Sequence, residues 1–167
     1  MSLLHTLKDF LQTRPVPAAV LAAAAVLAVA YGFQLAGYPP CEMCYWQRYP
    51  YMGVILIGLV SLLLKQDGKV WPVFAAAALF EVTGWIAGFH VGVELGWWEG
   101  PTTCTGLPDL SGDPGAALET IMTAPLIRCD EVAWSLFGIS MAGYNFIVAM
   151  ILAGVFAVLG FRRMKTA

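Results

Sequence analysis

Apolar positions along the chain fall into four long blocks separated by short polar stretches and one long polar loop. The blocks run over about 16–36 ("VPAAVLAAAAVLAVAYGFQLA"), about 45–64 (ending "MGVILIGLVSLLL"), about 71–90 ("WPVFAAAALFEVTGWIAGFH") and about 142–161 ("AGYNFIVAMILAGVFAVLGF"). Each is close to the roughly 20 residues with which a helix crosses about 30 Å of hydrocarbon. A chain in lipid must satisfy its own backbone, so such blocks predict helices and not open strands. The expected fold is therefore an all-α integral membrane protein, a single four-span domain over 1–167 built as a four-helix transmembrane bundle. Two loops, about 37–44 and about 91–141, then share one side of the membrane.

The first block has a competing reading. Lys8, Arg14 and Ala28-Val29-Ala30 resemble a signal peptide with its cleavage site. The apolar run continues past Ala30 through Phe33, Leu35 and Ala36, so retention as a span is expected. In the long loop, "GPTTCTGLPDLSGDPG" is dense in turn residues and reads as irregular. Asp113-Pro114 then makes an N-cap and first helical position, followed by Leu118, Ile121, Met122 and Pro125 at helical spacing. This predicts a short amphipathic helix on the membrane surface, with a loop helix packed on the bundle as the competing reading.

Charge changes the picture by orienting it. Lys8, Arg14, Lys65, Lys69, Arg162, Arg163 and Lys165 lie on one side of the expected spans, and only Arg48 and Arg128 on the other. Seven against two predicts cytoplasmic termini and outward-facing loops. Tyr38, Tyr45, Trp46, Tyr49, Trp97, Trp98 and Trp134 are then expected at the outer interface and Trp71 at the inner one. Composition agrees: 59% of residues are hydrophobic and 12% charged, against roughly 25% charged in soluble domains. No basic stripe suggests a nucleic-acid partner.

All four cysteines, Cys41, Cys44, Cys104 and Cys129, fall in the two outer loops, on the side where disulfides persist. Three pairings are possible, and local spacing favours Cys41 with Cys44 and Cys104 with Cys129. Tyr45 after the second cysteine is wrong for a c-type haem, and 104 to 129 is too open for a zinc site. Inert staples are the bland alternative. Reactivity is favoured because Pro39-Pro40 predicts a helix start near Cys41, with Cys44 in or near the first turn. A helix N-terminus and a nearby cation both lower a thiol pKa. Arg48, four residues on, lies on the same face, where it can support a Cys44 thiolate and reach an oxygen of a bound acceptor. The competing role for Arg48 is interfacial snorkelling. A repeatedly reduced thiol pair needs an electron sink, and beside lipid a quinone fits.

The stretches "PPCEMCYWQR", "FHVGVELGWWEGPTTC" and "CDEVAWSLFGISMAGYN", on four spans with two cysteine-bearing loops, resemble the disulfide bond formation protein B (DsbB) family over nearly the whole chain. The resemblance implies a bacterial inner-membrane thiol oxidase that re-oxidises a periplasmic thioredoxin-like DsbA-type oxidase, with ubiquinone or menaquinone as acceptor. It implies that Cys104 takes the partner's attack, that Cys129 is released and attacks Cys41, and that the Cys44 thiolate then meets the quinone with Arg48 beside it. Accessibility is read the same way: Cys104 lies in the open "GPTTCTGLP" stretch. His90, one turn from Glu94, either frames the quinone and carries protons or is an interface histidine paired with Glu94. Glu81, near mid-span, is expected protonated or paired within the bundle, or as a tolerated polar contact. The alternatives to a general oxidase are a paralogue dedicated to one client and a non-catalytic, disulfide-stapled tetraspan binding protein.

Overall fold

The computed structural model describes residues 2–101, 104 and 127–165. The predicted surface helix at 113–125 lies outside the described residues. Among the described residues five helices follow one another: α1 (Ser2–Thr13), α2 (Pro15–Leu35), α3 (Glu42–Leu63), α4 (Trp71–Glu94) and α5 (Met141–Met164). Three of them, α2, α4 and α5, are long and apolar enough to cross a membrane. The chain is thus a mostly helical, multi-pass membrane protein. Helix α3 is 22 residues long, but its first turns carry Glu42, Gln47 and Arg48, so it lacks the even apolarity of the other three.

Helix α1 was not anticipated. It is separated from α2 by Arg14 alone, and prolines in the first turn of α2 start the new helix without losing a bond that helix could make. Phe10 and Leu11 pack on the bundle core. Arg163, at the end of α5, donates to the carbonyls of Thr13 (3.0 Å) and Asp67 (2.8 Å), fastening α1 and the α3–α4 loop to the same end.

Small residues let the helices approach. Ala18, Ala19 and Ala23 of α2, Ala76 and Ala77 of α4, and Ala153 of α5 are all buried in one core, the pattern expected where helix association depends on close backbone packing. At Gly58 of α3, a Cβ would sit 2.3 Å from Val20 Cγ2 of α2. Tyr51, Phe80 and Phe156 pack as tilted rings through the centre, with ring centroids 5.8 and 5.5 Å apart. Pro50 lies inside α3 and withholds an N–H from the preceding turn. In that turn the Gln47 carbonyl accepts from Thr83 Oγ1 of α4 at 2.6 Å.

A two-stranded hairpin breaks the all-α expectation. Strands β1 (Ser135–Leu136) and β2 (Ile139–Ser140) pair antiparallel, with Ser135 opposite Ser140. Phe137 and Gly138 turn between them at φ 51° and 77°, the double positive-φ turn that matches strand twist. The hairpin runs directly into α5, whose N-cap Ser140 accepts from the Gly143 N–H at 3.1 Å and donates to Glu94 at the end of α4. These contacts hold the loop-bearing ends of α4 and α5 together.

Candidate functional site

Pro39-Pro40 stops α2 from running on, and α3 begins with Cys41 as its N-cap in extended backbone. The Cys41 sulfur accepts from the Cys44 N–H at 3.3 Å, as an N-cap side chain does. The two sulfurs lie 3.0 Å apart as free thiols, Cys41 buried and Cys44 half-buried. The Cys41 thiol donates to Cys44, and this bond, then burial, pushes Cys41 well above an ordinary thiol. The same bond holds Cys44 below its ordinary value, helped by a backbone bond and the Arg48 charge and opposed by burial and Glu94. Cys44 is therefore the member of the pair that ionises.

Cys104 and Cys129 form a disulfide, Cα to Cα 5.4 Å, and the Cys129 N–H donates to the Cys104 carbonyl at 2.9 Å. Beside Cys129, Arg128 binds Asp130 through two nitrogens, at 2.9 and 2.5 Å. This pairing holds the Asp130 carboxyl below its usual range. Both cysteines are buried with Cys41, Met43 and Val93 in one small cluster. The sulfurs of Cys41, Cys104 and Cys129 all lie within 4.8 Å of one another. Disulfide exchange requires a thiolate to reach a disulfide sulfur, and this cluster brings one pair to the other.

The Cys41–Cys44 pair also lines a cavity of about 460 Å³. Apolar side chains of α2 and α5, including Val26, Ala30, Phe33 and Val148, make its walls. Cys44, Gln47, Arg48, His90 and Asn145 add polar groups to the lining. Arg48 is buried and held by Gln34 Oε1 at 2.7 Å and the Ala30 carbonyl at 3.4 Å. Its guanidinium lies over the rings of Tyr31 and Tyr45, 4.7 and 5.3 Å from their centroids, a stacking that a planar cation favours.

The family of Disulfide bond formation protein DsbB matches residues 12–159. The chain belongs to the DsbB family. Among relatives, a Disulfide bond formation protein B of Aromatoleum aromaticum is 29% identical over 136 residues, covering 77% of this chain and 79% of that protein. Another from Paracidovorax citrulli is 27% identical over 166 residues, covering 89% and 88%. An uncharacterized protein of Rickettsia prowazekii is 25% identical over 115 residues, 66% of this chain and 65% of its own length, just under two thirds. No solved structure matches. DsbB membership carries the general function, disulfide formation by thiol oxidation on a multi-pass membrane scaffold.

Against the expectations for a DsbB-type site, the structure gathers all six candidates, Cys41, Cys44, Cys104, Cys129, Arg48 and His90, at one end of the bundle. Three details differ. Cys104 is not open: it is 1% exposed, because it packs beneath Cys41, Met43 and Val93. His90 is not primarily a partner of Glu94, which lies 3.9 Å away; its ring is bound by Gln47 at 2.9 Å and the Cys129 carbonyl at 3.2 Å. Glu81 is neither paired in the bundle nor near the cavity, but sits on the exposed face of α4. Gln47 and Asn145 were missed altogether. Both lie inside the quoted family stretches, but an amide pair 98 positions apart leaves no local signal.

Proposed function

We propose that this protein is a bacterial inner-membrane thiol oxidase that re-oxidises a periplasmic DsbA-type dithiol oxidase and delivers two electrons to a membrane quinone. The observation that carries the reading is the position of the Cys41–Cys44 pair, in reach of a buried disulfide through Cys41 and lining an apolar cavity. In this reading α3 from about residue 45 onward is the fourth span of a single domain over 1–167, with Cys41 and Cys44 in the outer loop before it. Both termini face the cytoplasm, as the seven-to-two bias of Lys and Arg favours.

The partner's thiolate attacks Cys104, and the Cys104–Cys129 bond breaks with its electron pair leaving on Cys129. Cys129 attacks Cys41 of an oxidised Cys41–Cys44 pair, and Cys44 leaves as thiolate, the state its surroundings favour. Because Cys104 is buried, its sulfur must become accessible before the partner attacks, which makes partner docking part of the reaction. Apolar walls with Arg48 and Asn145 among the lining suit a flat ring bearing two carbonyls. A bound ubiquinone or menaquinone supplies the two-electron sink. Arg48, held by Gln34 and stacked on two tyrosines, keeps a fixed positive charge beside Cys44.

The test uses the purified chain in lipid, supplied with quinone and a reduced thioredoxin-like protein. Quinone-dependent oxidation, one quinone reduced per dithiol, is expected. A chain that oxidises nothing, or that oxidises equally without quinone, contradicts the reading.

A further inference from the structure

A line of side chains with a fixed hydrogen-bond direction runs from the middle of the bundle to the sulfur cluster. Tyr51 Oη donates to Asn145 Oδ1 at 2.7 Å, and Asn145 Nδ2 donates to Gln47 Oε1 at 2.7 Å. Gln47 Nε2 stands 2.9 Å from His90 Nδ1. The other ring nitrogen, Nε2, lies 3.2 Å from the Cys129 carbonyl and 3.6 Å from Cys41 Sγ. Tyr51, Gln47 and His90 are 2%, 5% and 3% exposed, so these groups depend on one another and not on water.

The chemistry of the two ends sets the direction. A carbonyl oxygen only accepts. Gln47 Nε2 also faces the Met43 carbonyl at 3.1 Å, so the amide nitrogen belongs there and its second hydrogen points at Nδ1. An accepting Nδ1 leaves the ring proton on Nε2. The Cys129 carbonyl asks for a donor at that same nitrogen. Asn145 fixes the amide from the other side, because its own oxygen is taken by the Tyr51 hydroxyl. Both ends therefore select one tautomer.

Resting on the disulfide-exchange reading above, we infer that Gln47 is a positioning residue that holds His90 as an Nε2–H donor to the sulfur cluster, with Asn145 and Tyr51 fixing Gln47. The step it serves is the one that closes Cys104–Cys129 from a Cys41–Cys129 disulfide. The Cys104 thiolate attacks Cys129, the Cys104–Cys129 bond forms, and the Cys41–Cys129 bond breaks with its electron pair leaving on Cys41. No external oxidant enters. The observed arrangement, with Cys104 bonded to Cys129 and Cys41 a thiol, is the product side of that step. The imidazole N–H is directed at the junction where charge develops. The other tautomer would turn a lone pair toward both the Cys129 carbonyl and the departing thiolate.

Nitrogen-15 NMR of the full chain, labelled in histidine and held in lipid, reads the tautomer directly. His5 is the other of two histidines, so the parent for all variants is His5→Gln. The ring proton is expected on Nε2 in the parent. Gln47→Glu keeps the shape but replaces the donor with an acceptor, so Nδ1 becomes protonated. In the same variant, closure of Cys104–Cys129 from a Cys41–Cys129 disulfide slows about tenfold, the scale of one hydrogen bond to a charged group. If Gln47→Glu does not fold, Gln47→Met is read instead, with loss of the single fixed tautomer expected. An unchanged ring spectrum, or a changed ring with an unchanged closure rate, overturns the inference. The spectrum needs neither partner nor quinone. A parent chain that fails as a quinone-dependent oxidase therefore sinks the proposed function while leaving the ring result standing.

Discussion

The two cysteine pairs touch, yet they are held by different means. Cys41 and Cys44 belong to the first turn of a 22-residue helix, and their geometry is that of an N-cap. Cys104 and Cys129 come from loop segments 25 residues apart, joined by their own bond and one backbone contact. The helical pair has its charge assigned by its surroundings, with the thiolate favoured on Cys44. A pair on a rigid element can face a cavity at fixed geometry, whereas a pair on loops can admit a partner only by moving. Under the proposed reaction, the difference is a division of labour: the helix end sets reactivity and the loop pair sets access.

Removing one pair at a time should break the comparison most sharply. Cys104→Ser with Cys129→Ser is expected to abolish oxidation of the protein partner while leaving Cys41–Cys44 re-oxidisable by quinone. Cys41→Ser with Cys44→Ser is expected to abolish both, with the Cys104–Cys129 bond still formed. Thiol counting by mass spectrometry, alongside turnover, checks each arm. If the loop-pair variant still oxidises the partner, the division fails.

A second effect concerns charge at the helical pair alone. Because Cys44 is held below its ordinary value, its thiolate absorbance should persist as pH falls through about 8.5, where free thiols protonate. Arg48→Gln removes one cause, so the titration should move up in pH, and the apparent quinone affinity should fall about tenfold. Arg48→Lys keeps a charge but not the two-tyrosine stack and should fall between. An Arg48→Gln titration that overlays the parent's would take Arg48 out of the electrostatics of Cys44.

The smallest effect separates scaffold from site. Gly58→Val meets Val20 across the α2–α3 contact and should cost about 1–3 kcal/mol of stability, as overpacking does. Thermal unfolding in lipid measures it. The Cys44 titration should not change, since the strain lies in the bundle core, away from the cysteines.

The apolar blocks were legible because lipid imposes one solution on the backbone, and the described helices cover all four within a few residues. The start of α3 was legible because Pro39-Pro40 leaves little choice. Helix α1 was hidden by its ordinary polarity, and it is held in place by distant groups such as Arg163. The hairpin turn is Phe137-Gly138 and not a pair with an Asn or Asp signal, so "SLFGIS" read as loop. The partners of Arg48 and His90 were beyond reach for a common reason: Gln34 meets Arg48, and Gln47 meets His90 and Asn145, only when four helices come together. The burial of Cys104 is likewise a tertiary fact, invisible in a Gly/Pro/Thr-rich neighbourhood.

The central claim is that the two pairs exchange directly through Cys41 and Cys129. A chain carrying Cys44→Ser and Cys104→Ser retains only those two cysteines. Oxidised in lipid and mapped by mass spectrometry, it is predicted to form the intramolecular Cys41–Cys129 disulfide quantitatively. Two free thiols under the same oxidant, or crosslinks only between chains, would contradict the account.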